Sequence, residues 1–385
     1  MVTDVNAGSV PLQTQEVVSS VKPKRLLSID ALRGFDMLLI AGGGAFIERL
    51  HGKTGLGWVD WLGDQLTHPA WHGFTFYDFI FPLFLFLSGV SLSFSLQAGV
   101  EKGVEKSVLY RKVFRRFVIL YLLGILDKNI PLDLFDPAHI RYGTVLGRIG
   151  LATLVATVLF LNFSWKQRLY WVAGILLAYY AALFLIPVPG FGSGDLSFEG
   201  NLVGWFDRTF MPGRLLQKTY DELALLTQFP ALCLAVLGTV AGELLQSDRS
   251  DRTKLTYLVA PGLYSIGIGL LWSLHFPLNK HLWTSPFILV TAGMGLLFVA
   301  LFYGIIDVLG YRKWSFFFKV IGVNSIAVYL AYRFIDFNHT SRLLFEGFYR
   351  HAPEPYHESL NALGALALVW TFLYILYRHK IFVKI

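Results

Sequence analysis

A single cysteine, Cys233, is all the thiol chemistry in this 385-residue chain, and it lies within an apolar run. One cysteine excludes an internal disulfide and any metal cluster built on cysteine. Charge is also sparse: 15% of residues are Asp, Glu, Lys or Arg, where a soluble domain carries about 25%. Residues 1–21 hold no apolar core of signal-peptide length, which predicts a short cytosolic tail and an uncleaved first span. Tandem repeats, low-complexity tracts and a separate soluble domain are absent from the sequence as well. Gly42-Gly43-Gly44 lacks the Gly-Lys-Ser/Thr ending of a phosphate-binding loop, so close helix packing explains it better than a nucleotide does.

What fills the chain instead is apolar. Hydrophobic residues make up 55% and aromatic residues 16%, the composition of a polytopic helical membrane protein with aromatic belts at its interfaces. A spanning helix needs about 20 mostly apolar residues. Ten segments meet that template, centred near residues 42, 88, 121, 154, 178, 238, 265, 296, 326 and 368, the one near 121 being the shortest. The expected fold is therefore all-α, with about ten transmembrane helices and both termini cytosolic. Residues 1–24 form a polar tail and residues 25–385 a single transmembrane domain. Of the 33 Lys and Arg residues, 21 fall on the side so assigned to the cytosol. That positive-inside bias accounts for the net charge of +7 better than a nucleic-acid surface does. The lipid bilayer is the expected partner, and nucleic acid is not.

Nine of the ten histidines fall on the opposite side, where longer loops or a protonatable vestibule both explain them. Two belong to His68-Pro69-Ala70-Trp71-His72-Gly73, which leads through Asp78 into a long apolar run. Histidine exchanges protons near neutral pH, so His68 is a candidate base or nucleophile, with Asp78 placed to orient its ring. The residue types alone equally allow that His68 caps one helix and Asp78 begins another. Asp64, His68 and His72 would share one helical face at spacings of four, a possible ligand set. Pro69 breaks that helix, and no metal is expected.

Arg148 is an intramembrane charge, which marks a candidate anion site or a buried ion pair with Asp36 or Glu243. Asn324 and Ser325 are read as a polar-ligand contact or a helix–helix contact. In the long connection over residues 187–228, Trp205, Phe206 and Tyr220 supply faces for stacking on sugar rings or for anchoring at the interface.

The order of several segments carries a resemblance. It runs from Arg25-Leu26-Leu27-Ser28-Ile29-Asp30-Ala31-Leu32-Arg33-Gly34 through residues 68–89 to Gly143-Thr144-Val145-Leu146-Gly147-Arg148-Ile149-Gly150. It then continues through Asn279-Lys280, Leu282-Trp283-Thr284-Ser285 and Gly322-Val323-Asn324-Ser325-Ile326-Ala327-Val328-Tyr329. So arranged, the chain resembles the transmembrane acetyltransferases of the heparan-α-glucosaminide N-acetyltransferase family, its bacterial members above all. The resemblance implies an acetyltransferase that moves acetyl from cytosolic acetyl-CoA, its co-substrate, to the amine of an extracytoplasmic glucosamine-type sugar. The setting implied is a bacterial inner membrane, with a homodimer among the assemblies it admits. The family's catalytic histidine maps onto His68, followed here by Trp71, Asp78, Phe81 and Pro82. Trp71, Arg148, Trp283 and Asn324 become candidates for substrate binding, and Arg33, Arg115 and Arg116 for the CoA phosphates. Two departures stand out. Ile40 or Ala41 takes the place of an asparagine before the glycine run. Tyr220-Asp221-Glu222-Leu223-Ala224 stands where relatives usually carry Asp-Pro-Glu-Gly. The alternative is an amino-sugar transporter of the inner membrane.

Overall fold

The computed structural model describes residues 26–383, so the tail expected over residues 1–24 lies outside the described residues. The chain folds into helices α1 (Leu27–Leu38), α2 (Ala45–Glu48), α3 (Gly57–Gln65), α4 (Phe76–Glu101) and α5 (Lys106–Lys128). They are followed by α6 (Val145–Asn162), α7 (Trp165–Leu185), α8 (Leu202–Phe210), α9 (Gln228–Gln246) and α10 (Asp251–Ser273). The remainder are α11 (Ser285–Phe302), α12 (Ser315–Gly322), α13 (Ser325–Phe334), α14 (Phe337–Tyr349) and α15 (His357–Arg378). Among the described residues the only bridges between extended segments are Arg141 with Gly213 and Val188 with Gly192. The all-α expectation holds.

Local chemistry sets the helix starts. Ser164, Asn201 and Ser250 each accept a backbone N–H from the first turn of α7, α8 and α10, meeting donors that have no partner within the helix. Thr144 does the same for α6 through the N–H of Gly147. Packing between helices is set by small residues. A Cβ on Gly238 of α9 would sit 2.0 Å from the carbonyl oxygen of Phe86, and one on Gly89 of α4 2.0 Å from that of Ala235. The backbones of α4 and α9 therefore touch, as the small-residue logic of membrane helices requires. Gly34 and Gly322 do the same for α1 and α12.

All ten expected positions are helical, but among the described residues seven helices are long and apolar enough to cross a membrane: α4, α6, α7, α9, α10, α15, and α11 with its extension to Val308. The pair α12 and α13, bent by 68° at Val323-Asn324, makes an eighth if counted as one broken span. Two of the ten fall away for physical reasons. α5 carries Lys106, Arg111, Lys112, Arg115 and Arg116 along its first half. The segment near residue 42 is interrupted by a π-helical turn, Leu39–Gly43, in which Gly42 has φ +80°. That turn divides the run Gly42-Gly43-Gly44: a Cβ on Gly42 would meet nothing within 4 Å, whereas one on Gly44 would lie 3.0 Å from the side chain of Leu66, so the packing reading holds for Gly44 and not for Gly42. Gly42 is there to turn the chain, since positive φ is costly for any other residue.

Candidate functional site

α4 begins where the polar segment ends. Its first-turn residue Asp78 accepts the N–H of Thr75 through Oδ2, at 3.0 Å, closing a capping box. The other oxygen, Oδ1, lies 2.7 Å from Nδ1 of His68. Thr75 Oγ1 in turn donates to the carbonyl of Thr67, which draws the histidine segment back over the helix end. Asp78 both begins a helix and holds the ring of His68, whereas His68 caps neither neighbouring helix, whose ends fall at Leu66 and Thr75. Asp78 is buried at 1% exposure, whereas the His68 side chain is 36% exposed. A carboxylate can only accept, so Nδ1 of His68 carries the proton and Nε2 presents its lone pair.

Nε2 is met by Lys280, whose Nζ lies 2.8 Å away. Lys280 belongs to the connection before α11, which Asn279 and Thr284 brace. Asn279 Oδ1 accepts the N–H of Leu282 at 2.8 Å, and Thr284 Oγ1 accepts that of Asn279 at 3.2 Å. With its oxygen so engaged, Asn279 donates through Nδ2 to Nδ1 of His72 at 3.1 Å. Burial, then the nearby charge of His281, lowers the basicity of His72, in keeping with a ring that accepts at Nδ1. The Asp64, His68 and His72 set is dispersed among three partners: His51, Asp78 and Asn279.

A second layer comes from the long connection between α7 and α9. Tyr220 is buried and its hydroxyl lies 2.8 Å from Nδ1 of His281. Glu222 sits 3.6 Å from the same nitrogen. Burial alone would raise the Glu222 carboxyl. The bond to His281 and the charges of Lys280, His281 and Arg148 outweigh it and hold the group down at about 2. Trp71 stacks on His281 at 5.4 Å and donates through Nε1 to the carbonyl of Leu196 at 2.9 Å. Of the three aromatics read from that connection, Tyr220 is thus a buried strut, while Phe206 packs on Phe210 within α8. Asp221 forms a buried two-pronged pair with Arg141, at 2.7 and 2.9 Å, and pins the loop.

One turn deeper, Phe81 meets the edge of Trp283 at 5.6 Å. Trp283, at φ +49°, is wholly buried under the guanidinium of Arg148, 4.6 Å from its ring. Arg148 donates to Thr227 at 2.5 Å and to Gln228 at 3.1 Å. Its partners are these neutral groups and not Asp36 or Glu243; Glu243 pairs with Arg168. One Arg148 nitrogen, NH1, and Nε1 of Trp283 have no hydrogen-bond partner among the described residues.

Phe81 also forms one end of a cavity of about 770 Å³ enclosed by α1, α4, α5, α6 and the α12–α13 bend. Its wall along α4 runs from Phe81 to Leu96, about 22 Å at the helical rise. Gly99 of α4 lies against Leu109 of α5, so Lys112, Arg115 and Arg116 stand level with the Ser95 end. Arg33 joins them and donates to Ser91. One end of the cavity is thus basic, and the other is aromatic and one turn from Asp78.

The structure therefore brings His68, Asp78 and Trp71 into one cluster at the start of α4, places Trp283 and Arg148 just beneath it, and sets Arg33 at the cavity's basic end. Asn324 is elsewhere. It is wholly buried at the α12–α13 bend, donating to the carbonyl of Ile381 and accepting from the N–H of Val383, each at 3.1 Å. It clamps the C-terminal segment, which carries Val383 to the cavity wall. Lys280, Asn279, His281 and Glu222 complete this cluster, and the sequence did not mark them as site residues. Their signals were indirect: Asn279-Lys280 among the segments that carry the resemblance, Glu222 within a departure from the relatives, and His281 among the nine histidines on one side.

The model of a protein family described as "Heparan-alpha-glucosaminide N-acetyltransferase, catalytic" matches residues 25–277. Heparan-alpha-glucosaminide N-acetyltransferase of Homo sapiens is 25% identical over 430 residues, covering 95% of this chain and 61% of its own length. The protein of the same name from Mus musculus is 26% identical over 421 residues, covering 94% and 60%. The chain thus spans about three fifths of the length of the curated relatives it matches.

Proposed function

Because the chain belongs to the heparan-alpha-glucosaminide N-acetyltransferase family, we propose that it is a membrane acetyltransferase that carries acetyl from cytosolic acetyl-CoA to the amine of a glucosamine-type sugar beyond the membrane. The observation that carries this reading is the 2.7 Å contact between Asp78 and Nδ1 of His68, one turn above a cavity whose far end is basic. The contact fixes the tautomer that leaves Nε2 as the base.

In this reading Arg33, Lys112, Arg115 and Arg116 receive the phosphates of acetyl-CoA. The flexible arm lies along α4, and the thioester reaches Phe81. His68 takes the proton of the sugar amine as its nitrogen attacks the carbonyl, or accepts the acetyl group first and passes it on; both routes use Nε2. The C–S bond breaks, the new N–C bond forms, and the proton ends on the CoA thiolate. Arg148 and Trp283 offer unpaired donors near the path of the carbonyl. Trp71 holds the outer loop over the acceptor site, and Asn324 keeps the cavity wall closed.

The positive-inside bias supports cytosolic termini and an outward-facing His68, and a bacterial inner membrane is the setting proposed. Reconstitution into liposomes tests the whole. With acetyl-CoA on the basic side and glucosamine on the other, wild type forms N-acetylglucosamine and His68→Ala does not. Labelled glucosamine crossing the bilayer unmodified, with no product, would replace the enzyme by an amino-sugar transporter.

A further inference from the structure

Lys280 has no role in the mechanism above, yet its ammonium makes the closest contact to the base nitrogen. Its nearest partner is the imidazole and not the carboxylate: Nζ lies 4.0 Å from Asp78 Oδ1 but 2.8 Å from His68 Nε2. A lysine serving a buried carboxylate would close on the carboxylate. This one closes on the lone pair that the reaction needs. Its side chain is 12% exposed, and its backbone is fixed on both sides, since Trp283 donates to its carbonyl at 3.2 Å and Asn279 is held by Thr284.

We propose that Lys280 is a catalytic residue of the acetyl transfer, supplying the positive charge that stabilises the oxyanion formed as the acetyl carbonyl is attacked. The inference rests on the function proposed above. Whatever reacts at Nε2 displaces Nζ from it, and the carbonyl oxygen of a reacting acetyl group arrives within a bond length or two of the place Nζ vacates. One hydrogen bond is exchanged for another, so the ammonium is never left without an acceptor. The exchange also follows the charge. As His68 gains a proton it repels a neighbouring ammonium, and at the same moment the oxyanion attracts it. Lys280 keeps its own protons throughout. The amine proton passes to Nε2 and then to the departing thiolate. With its side chain only 12% exposed, Lys280 is partly withdrawn from water, and its charge acts on the oxyanion more strongly than a solvated cation would.

The test is the kinetics of the full chain in liposomes, with acetyl-CoA and glucosamine as the probes, for wild type, Lys280→Met, Lys280→Gln and Lys280→Arg. The expected result is a kcat for Lys280→Met lower by roughly 10²–10³, the cost of losing one oxyanion donor. Both KM values should stay within about threefold, and Lys280→Arg should recover at least about tenfold over Met because it keeps the charge. A folded Lys280→Met with kcat within about threefold of wild type would overturn the role. So would an Arg variant no better than Met, or a loss confined to KM. If the Met variant does not fold, Gln against Arg decides the same question. Absence of product from the wild type itself would remove the reaction, and this role with it; product from the wild type keeps the two failures distinct.

Discussion

Asp78 holds Nδ1 of His68 with one carboxylate oxygen and the N–H of Thr75 with the other, so one side chain fixes both a helix start and an imidazole tautomer. The two duties separate under substitution. Asp78→Asn can keep its oxygen on the Thr75 N–H but must then present an NH₂ to Nδ1, which would become an acceptor and move the ring proton to Nε2. The expected outcome is a kcat lower by about 10²–10⁴, as when a triad aspartate is replaced by asparagine, with a nearly unchanged melting temperature. Asp78→Ala should add a stability loss of about 0.5–2 kcal/mol from the missing cap. Thermal unfolding of the two variants, set beside their rates, checks the division.

Arg115→Ala with Arg116→Ala should act on the donor alone. A hydrogen bond from a guanidinium to a phosphate is worth about 1.5–3 kcal/mol, so KM for acetyl-CoA is expected to rise by roughly 10² or more. KM for glucosamine should not move. Titration of both substrates with the double variant measures this, and an equal rise in both would place the phosphates elsewhere.

Arg148→Lys should be costly although charge is conserved. Lysine cannot reproduce the fork to Thr227 and Gln228 or the stacking over Trp283. A stability loss of about 1–3 kcal/mol is expected. Retention of wild-type melting would show that these neutral partners contribute little.

Asp207, in α8, makes stability depend on pH. It is wholly buried, one of its oxygens has no partner among the described residues, and burial pushes its carboxyl up to about 7 against the lowering effect of its backbone hydrogen bonds. With the folded value above the unfolded one, its stabilising contribution is complete below about pH 4 and is lost as pH rises through 7. Between about pH 5 and pH 8 the loss amounts to roughly 2–3 kcal/mol. Asp207→Asn should flatten that dependence, as chemical denaturation at the two pH values would report.

What was legible in the sequence was what is contiguous. His68, Trp71 and Asp78 lie close together in the chain and beside one helix start, so their meeting needed no knowledge of the fold. The spans were legible because apolar length is a local property. The break at Leu39–Gly43 was not, since Gly42 could as well have packed against a neighbour as turned the chain. Lys280 reaches His68 across 212 positions, a pairing no spacing rule foretells. From its residue type Asn324 reads as a ligand or helix contact, and the resemblance makes it a substrate-binding candidate, because a buried amide in an apolar segment advertises unused hydrogen bonds. It spends them on a partner 57 to 59 residues away.

The wall of the cavity along α4 is a single unbroken helix from Phe81 to Leu96, which makes that helix a ruler. The span between the basic end and the His68 cluster is set by a count of residues, in steps of about 1.5 Å, and not by the flexibility of any loop. Removing one turn would shorten the gauge by about 5.4 Å and strand a donor of fixed length short of its exit. A bilayer much thicker or thinner than the rod would tilt it and so misread the distance. On the function proposed above, membrane thickness becomes a third substrate, measured at every turnover.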